Sequence, residues 1–89
     1  MTIAGNPLSM AREIGDGFHS LTPGTLKRYT PADLKIVNSS LRQVLRDARG
    51  EVAQPGDADA IRRKNLRVQR LNQAILMLAN YCRQHRIPL

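Results

Sequence analysis

The chain has 89 residues, a net charge of +7 and one cysteine, so it forms at most one small domain with no internal disulfide to stabilise it. No apolar run approaches a membrane span, because the most apolar segment, residues 74–79, is only six residues long. The N-terminus lacks the basic start and apolar core of a cleavable signal peptide. We therefore expect a cytoplasmic protein or a component of a particle that assembles inside the cell.

Positive charge is concentrated in the second half of the chain. Eleven of the fourteen Lys and Arg residues are Arg, which favours bidentate contacts to phosphate or carboxylate groups. Residues 60–89 hold seven basic residues and no acidic one. This distribution predicts a polyanionic partner or an acidic protein surface.

Residues 1–29 are predicted to form a mostly irregular N-terminal arm with one short helix near residues 7–14. Asn6 precedes a proline, and this pair is typical of a helix start because the Asn side chain caps the first turn. Gly15, together with Gly17, is expected to end the helix.

Thr22 and Thr30 are each followed by proline, which is again the signature of a helix start. Residues 18–29 are nevertheless expected to turn rather than to continue as a long helix. The second signature opens a predicted helix over residues 31–49, where Asp33 places negative charge in the first turn. Its predicted core stripe consists of Leu34, Val37, Leu41, Val44, Leu45 and Ala48.

Gly50 is predicted to end this helix, and residues 51–56 are predicted to form a loop. Asp57 is a suitable cap for a second, longer helix over residues 57–86, which Pro88 would stop. The predicted fold is therefore all-α. It is an antiparallel helical hairpin with unequal arms over residues 30–89, preceded by the N-terminal arm.

The two predicted helices differ in length, so one of them must extend past the other. Pairing them outward from the loop places Arg49 near Asp57 and Pro31 near Ile75. On that pairing residues 76–82, which are strongly apolar, overhang the shorter helix. Either the N-terminal arm or a second molecule would have to cover them.

The longer helix is apolar on two sides. Its main stripe consists of Ile61, Val68, Leu71, Ile75, Leu78 and Cys82. A second stripe consists of Arg63, Leu66, Arg70, Ala74, Met77 and Tyr81. A helix that covers two faces needs more than one neighbour, so we predict oligomeric helix packing with copies of the chain or with neighbouring subunits. The predicted interface residues are Leu66, Ala74, Leu76, Met77 and Tyr81.

Basic residues recur at helical spacing on both predicted helices. On the shorter helix they are Lys35, Arg42, Arg46 and Arg49. On the longer helix they are Arg63, Arg67 and Arg70, with Arg62 adjacent. Spacings of three and four residues stack side chains along one side of a helix. Two such tracks would straddle a phosphate backbone or dock on an acidic partner.

The sequence does not support an enzyme. His19 and His85 belong to no recognisable catalytic motif. Cys82 and His85 share a helix face, but two donors are half of a zinc site, and Cys82 is better explained as a core residue. We therefore predict no catalytic residues, no metal site and no cofactor.

These features favour a small, basic, non-enzymatic assembly protein. It would be a structural or adaptor subunit that packs helix-on-helix within a larger complex, such as a virion, a secretion apparatus or a nucleoprotein particle. The alternative is a dimeric helical-hairpin protein that binds nucleic acid through its Arg tracks. Its contacts would be to phosphates and not to base edges, because aromatic residues are few and scattered.

Overall fold

The structure, a computed structural model, describes residues 7–52 and 54–89. These residues form four α-helices and no strand, which confirms the all-α prediction. The helices are α1 (Pro7–Asp16), α2 (Pro23–Leu26), α3 (Pro31–Gly50) and α4 (Ala58–Gln84). Asn6, the predicted cap of α1, lies outside the described residues.

The helix starts follow the predicted capping signals. Thr30 accepts from the backbone N–H of Asp33, and the Asp33 carboxylate accepts from the N–H of Thr30, so α3 begins with a reciprocal capping box. Thr22 caps the single-turn helix α2 in the same position relative to its proline. Asp57 accepts from the N–H of Ala60 and caps α4. Local side-chain chemistry therefore sets these three boundaries.

Helix α1 is longer than predicted. Of the two glycines that were expected to end it, Gly15 lies inside the helix, whereas Gly17, with φ +88°, directly follows its last residue. The N–H of Phe18 donates to the carbonyl of Glu13 at 2.9 Å, which closes the helix in the left-handed manner that glycine favours.

One hydrophobic core joins all four helices. The predicted α3 stripe is buried throughout, and its members are Leu34, Val37, Leu41, Val44, Leu45 and Ala48. Helix α4 contributes Leu71, Ala74, Leu78, Tyr81 and Cys82. The N-terminal residues contribute Ala11, Ile14, Leu21 and Leu26. The segment of residues 7–29 therefore packs onto the rest of the protein through these four residues, whereas its large apolar residue Phe18 is 83% exposed.

The pairing of α3 with α4 differs from the prediction. Glu51, at the end of α3, lies beside Lys64 and Arg67, well inside α4. At the other end of the pair, Asn38 and Arg42 line a cleft together with residues near the C-terminus of α4. The last turns of α4 therefore lie against α3, and the first turns, residues 58–63, extend beyond it.

The predicted overhang of residues 76–82 is consequently wrong for its core-facing members. Leu78, Tyr81 and Cys82 are buried, whereas Leu76 is exposed. The physical reason is the polarity of the two ends of α4. Its first turns carry Asp59, three consecutive basic residues and few large apolar ones, so burying the apolar end instead avoids desolvating charge.

Helix α1 packs against both α3 and α4. Tyr29 donates to Met10 Sδ at 3.6 Å near the start of α3, while Arg70 donates to the carbonyl of Gly15 at 3.3 Å. The segment between α1 and α3 then returns along α4, where His19 and Lys27 line successive clefts with α4 residues. This segment therefore covers one side of α4. Coverage by the N-terminal arm was one of the two alternatives that the sequence left open, the other being a second molecule.

Candidate functional site

An apolar groove lies between α4 and the segment that connects α1 to α3. Two adjoining clefts of about 320 and 380 Å³ share Gln73 and Met77 as lining residues. Leu76 is 61% exposed beside them, and Met77 is 36% exposed. Leu66, also exposed, lies further toward the N-terminus of the same helix. Leu66 and Met77 are about three helical turns apart and therefore lie on the same side of α4. Exposed apolar residues on one side of a helix are typical of a surface that receives another helix.

The predicted interface residues divide into two groups. Leu66, Leu76 and Met77 are exposed and available for contact. Ala74 and Tyr81 are buried, although each lines one of the two clefts. The Tyr81 ring packs against His85 with 4.2 Å between centroids. Ala74 and Tyr81 therefore form the floor of the groove and belong to the folded core.

The rim of the groove is polar and basic. Arg70 and His19 line the first cleft, and Lys27 and His85 line the second. None of the described residues that line either cleft is Asp or Glu. The groove therefore combines an apolar floor with a rim that attracts negative charge.

Arg67 and Arg70 of the predicted α4 track form hydrogen bonds to other parts of the fold. Arg67 donates from Nε to Asp16 at 3.2 Å and from Nη1 to both carboxylate oxygens of Glu51 at 2.7 and 2.8 Å. Arg70 donates to the carbonyl of Gly15. These contacts hold α1 and the end of α3 against α4. The two carboxylates compensate the charge of Arg67, whereas Arg70 donates to a neutral carbonyl and keeps its charge.

The other two members of that track are exposed. Arg62 pairs with Asp59 at 2.8 Å in a pair that is more than two-thirds exposed on both sides. The Arg63 side chain is exposed and makes no hydrogen bond or ion pair with the part of the chain that the structure describes. Both residues lie on the first turns of α4, beyond the end of α3.

The α3 track has a different neighbourhood from the one predicted. Its members are all exposed, and they are Lys35, Arg42, Arg46 and Arg49. Arg42 shares a shallow cleft of about 470 Å³ with Arg83 of α4. The structure therefore brings Arg42 of the α3 track beside the C-terminal end of α4, whereas Arg67 and Arg70 lie on the side of α4 that faces α1.

We call this surface the basic flank and define it as Lys35, Arg42, Arg46, Arg49 and Arg83. Sequence reasoning did not include Arg83, because the incorrect helix pairing placed it far from α3. The charge pattern alone contained no signal that would have joined it to Arg42.

Cys82 is buried, and burial raises the pKa of its thiol above the ordinary value of 9.0. Within residues 7–52 and 54–89, no group of three or more His, Cys, Asp or Glu is placed to hold a metal ion. In the same residues, no helix has the length and apolar content needed to cross a bilayer.

Comparisons of the chain with protein-family models, with curated proteins and with solved structures found no match. The groove and the basic flank are therefore the features from which a function is inferred.

Proposed function

We propose that this protein is a non-enzymatic assembly subunit that binds an amphipathic helix of a neighbouring protein in the groove along α4. The observation that carries the proposal is the exposure of Leu76 and Met77 beside two adjoining clefts. Covering a Leu or Met side chain fully contributes about 1.5–3 kcal/mol. A few such contacts on one helix face supply the core of a helix-in-groove interface.

The charge of the rim selects the chemistry of the partner. Arg70 and Lys27 line the clefts, and none of the described lining residues is acidic. Two copies of the chain, each with a net charge of +7, would repel one another, which disfavours a second copy as the occupant. We therefore propose an acidic amphipathic helix, with Leu-type residues facing the groove and Glu facing its rim.

The groove is tested with one substitution inside it and a matched one outside it. Leu76→Asp places a charge in the groove, and Ile36→Asp places the same charge at a similarly exposed apolar residue of α3. The probe is a labelled synthetic helix of Leu and Glu residues at i, i+3 and i+4 spacing, with a Lys-for-Glu version as its charge control. Fluorescence anisotropy should show binding of the Glu peptide that Leu76→Asp weakens at least tenfold and Ile36→Asp leaves nearly unchanged.

Mass measurement over a range of protein concentrations identifies the occupant. We expect a monomer in the absence of the peptide. A wild-type dimer that Leu76→Asp dissociates would mean that a second copy occupies the groove. Failure of both peptides to bind a monomeric protein would contradict the assembly proposal.

Tyr81 is unsuitable for this test. It was predicted as an interface residue, but its burial means that Tyr81→Asp would unfold the protein and not merely block binding.

A further inference from the structure

We infer that the basic flank binds the phosphate backbone of double-stranded nucleic acid, at a site separate from the groove. The flank follows one side of α3 from Lys35 to Arg49 and continues onto α4 at Arg83. The fourteen residue steps along α3 correspond to about 21 Å at 1.5 Å per residue. This length is enough to contact several successive phosphates, which are spaced at about 3.4 Å of axial rise per strand.

The guanidinium groups of the flank are uncompensated. Arg42 donates to the side-chain oxygen of Asn38 at 3.3 Å, and Arg83 donates to the side-chain oxygen of Asn80. Both acceptors are neutral amides, so each bond orients a guanidinium group without cancelling its charge. This contrasts with Arg67, which is paired with two carboxylates. A phosphate therefore meets pre-oriented donors that retain their full charge.

The remaining members of the flank are also available. Lys35, Arg46 and Arg49 make no ion pair with any residue that the structure describes. The acidic residues of α3 point elsewhere or are used locally. Asp33 completes the capping box, and Asp47 lines a cleft on the α1 side of α3. The flank is therefore positive without interspersed acids, unlike a surface that only maintains solubility.

The polarity of the flank favours phosphate over an acidic protein. Protein interfaces have an apolar centre that excludes water, and the groove on α4 has such a centre. On α3, the surface residues between Lys35 and Arg42 include the polar Asn38 and Ser39. Apolar Ile87 and Leu89 line only the cleft that Arg42 shares with Arg83. Backbone contacts to a duplex need Arg and Lys without such a centre.

The scarcity of aromatic residues favours a duplex over a single strand as the ligand of the flank. The chain has three of them, Phe18, Tyr29 and Tyr81, and none belongs to the flank. Single-strand binding draws much of its affinity from stacking of bases on aromatic rings. Binding to the flank should therefore be independent of base sequence and strongly dependent on salt.

The test compares two triple variants with the same change in charge. The flank variant is Arg42→Gln, Arg46→Gln and Arg49→Gln. The control variant is Arg28→Gln, Arg62→Gln and Arg63→Gln, three exposed residues outside the flank, two of them in the predicted α4 track. Gln is nearly as good a helix former as Arg, and circular dichroism checks that both variants stay folded. The probe is a labelled 20-base-pair DNA duplex, titrated by anisotropy at several NaCl concentrations.

We expect the wild-type affinity to fall steeply with salt and the flank variant to bind at least tenfold more weakly at low salt. Its slope of log affinity against log salt should decrease by about 0.9 for each lost phosphate contact. The control variant should stay within about threefold of wild type. Leu76→Asp should leave duplex binding nearly unchanged, because Leu76 lies outside the basic flank. The groove proposal and the flank proposal can therefore fail independently.

Three results would overturn the inference. Equal weakening in both triple variants would mean that total charge and not the flank attracts the duplex. Absence of salt-dependent binding by the wild type would mean that the flank is not a phosphate-binding site. Displacement of the duplex by poly-glutamate at equal charge concentration would assign the flank to an acidic protein instead.

Discussion

Arg67 and Glu51 form a bifurcated contact across sixteen residues of sequence, with Nη1 of Arg67 donating to both carboxylate oxygens at 2.7 and 2.8 Å. The same guanidinium group reaches Asp16 at the end of α1. One side chain of α4 therefore contacts the ends of both other long helices. This contact fixes which turn of α4 lies beside the end of α3.

We expect Arg67→Gln to loosen α1 more than the rest of the fold. The carboxylates of Asp16 and Glu51 are 43% and 50% exposed, so solvent screening limits the loss to about 1 kcal/mol of unfolding free energy. Hydrogen exchange of α1 should become faster, and the difference from wild type should shrink at high salt. Arg62→Gln, which breaks only the exposed pair with Asp59, serves as the control. A loss that is independent of salt would contradict an ionic role for Arg67.

Gly15 permits the close approach of α1 to α4. A Cβ at this position would lie 2.9 Å from Cγ of Arg67 and 3.4 Å from Cδ1 of Leu71. Gly15→Ala should therefore lower the unfolding free energy by about 1–3 kcal/mol, because overpacking outweighs the gain in helix propensity.

Gly50→Ala is the matched control for Gly15→Ala. A Cβ added at Gly50 would meet nothing within 4 Å, and Gly50 is the last residue of α3. We expect it to be neutral or to stabilise the protein by up to about 1 kcal/mol. Urea denaturation of the two variants measures the contrast, and equal effects would mean that α1 does not pack closely on α4.

Arg86 has a φ of 57°, which is unfavourable for a residue with a side chain. It follows α4, and the N–H of the next residue, Ile87, donates to the carbonyl of Cys82 at 2.7 Å. Arg86→Gly should relieve the strain and raise the unfolding free energy by about 1 kcal/mol. Arg86→Ala, which removes the same charge but keeps the Cβ, should not stabilise the protein. A similar effect of the two substitutions on the melting temperature would attribute the change to charge.

Because Cys82 is buried, we expect its thiol to react slowly with alkylating reagents and to make the stability of the protein depend on pH. Because its pKa is raised in the folded state, the folded protein keeps the thiol proton at a pH where the unfolded chain releases it. The stability difference between wild type and Cys82→Ala should therefore be constant well below pH 9 and decrease as the pH rises above it. Iodoacetamide should label the native protein slowly at pH 8 and label it rapidly in denaturant. Rapid labelling of the native protein would contradict the burial of Cys82.

The amino-acid sequence by itself determined the local structure. Thr30 and Asp57 define the helix starts through side-chain bonds to backbone groups three residues away, and such contacts need no tertiary information. The stripe from Leu34 to Ala48 was fully predictable, because helical periodicity assigns its members to one face wherever that face is buried.

Only the tertiary structure decided the helix pairing and, with it, which Arg residues are free. Equal spacing made Arg63, Arg67 and Arg70 look like one track, yet Arg67 is committed to carboxylates on two other elements. Arg83, separated from Arg42 by most of α4 and the connecting segment, joins the basic flank only because the end of α4 lies against α3. Helical periodicity specifies the face of a side chain but not its level along a neighbouring helix. That level follows from burying the apolar end of α4 and leaving its charged end in water.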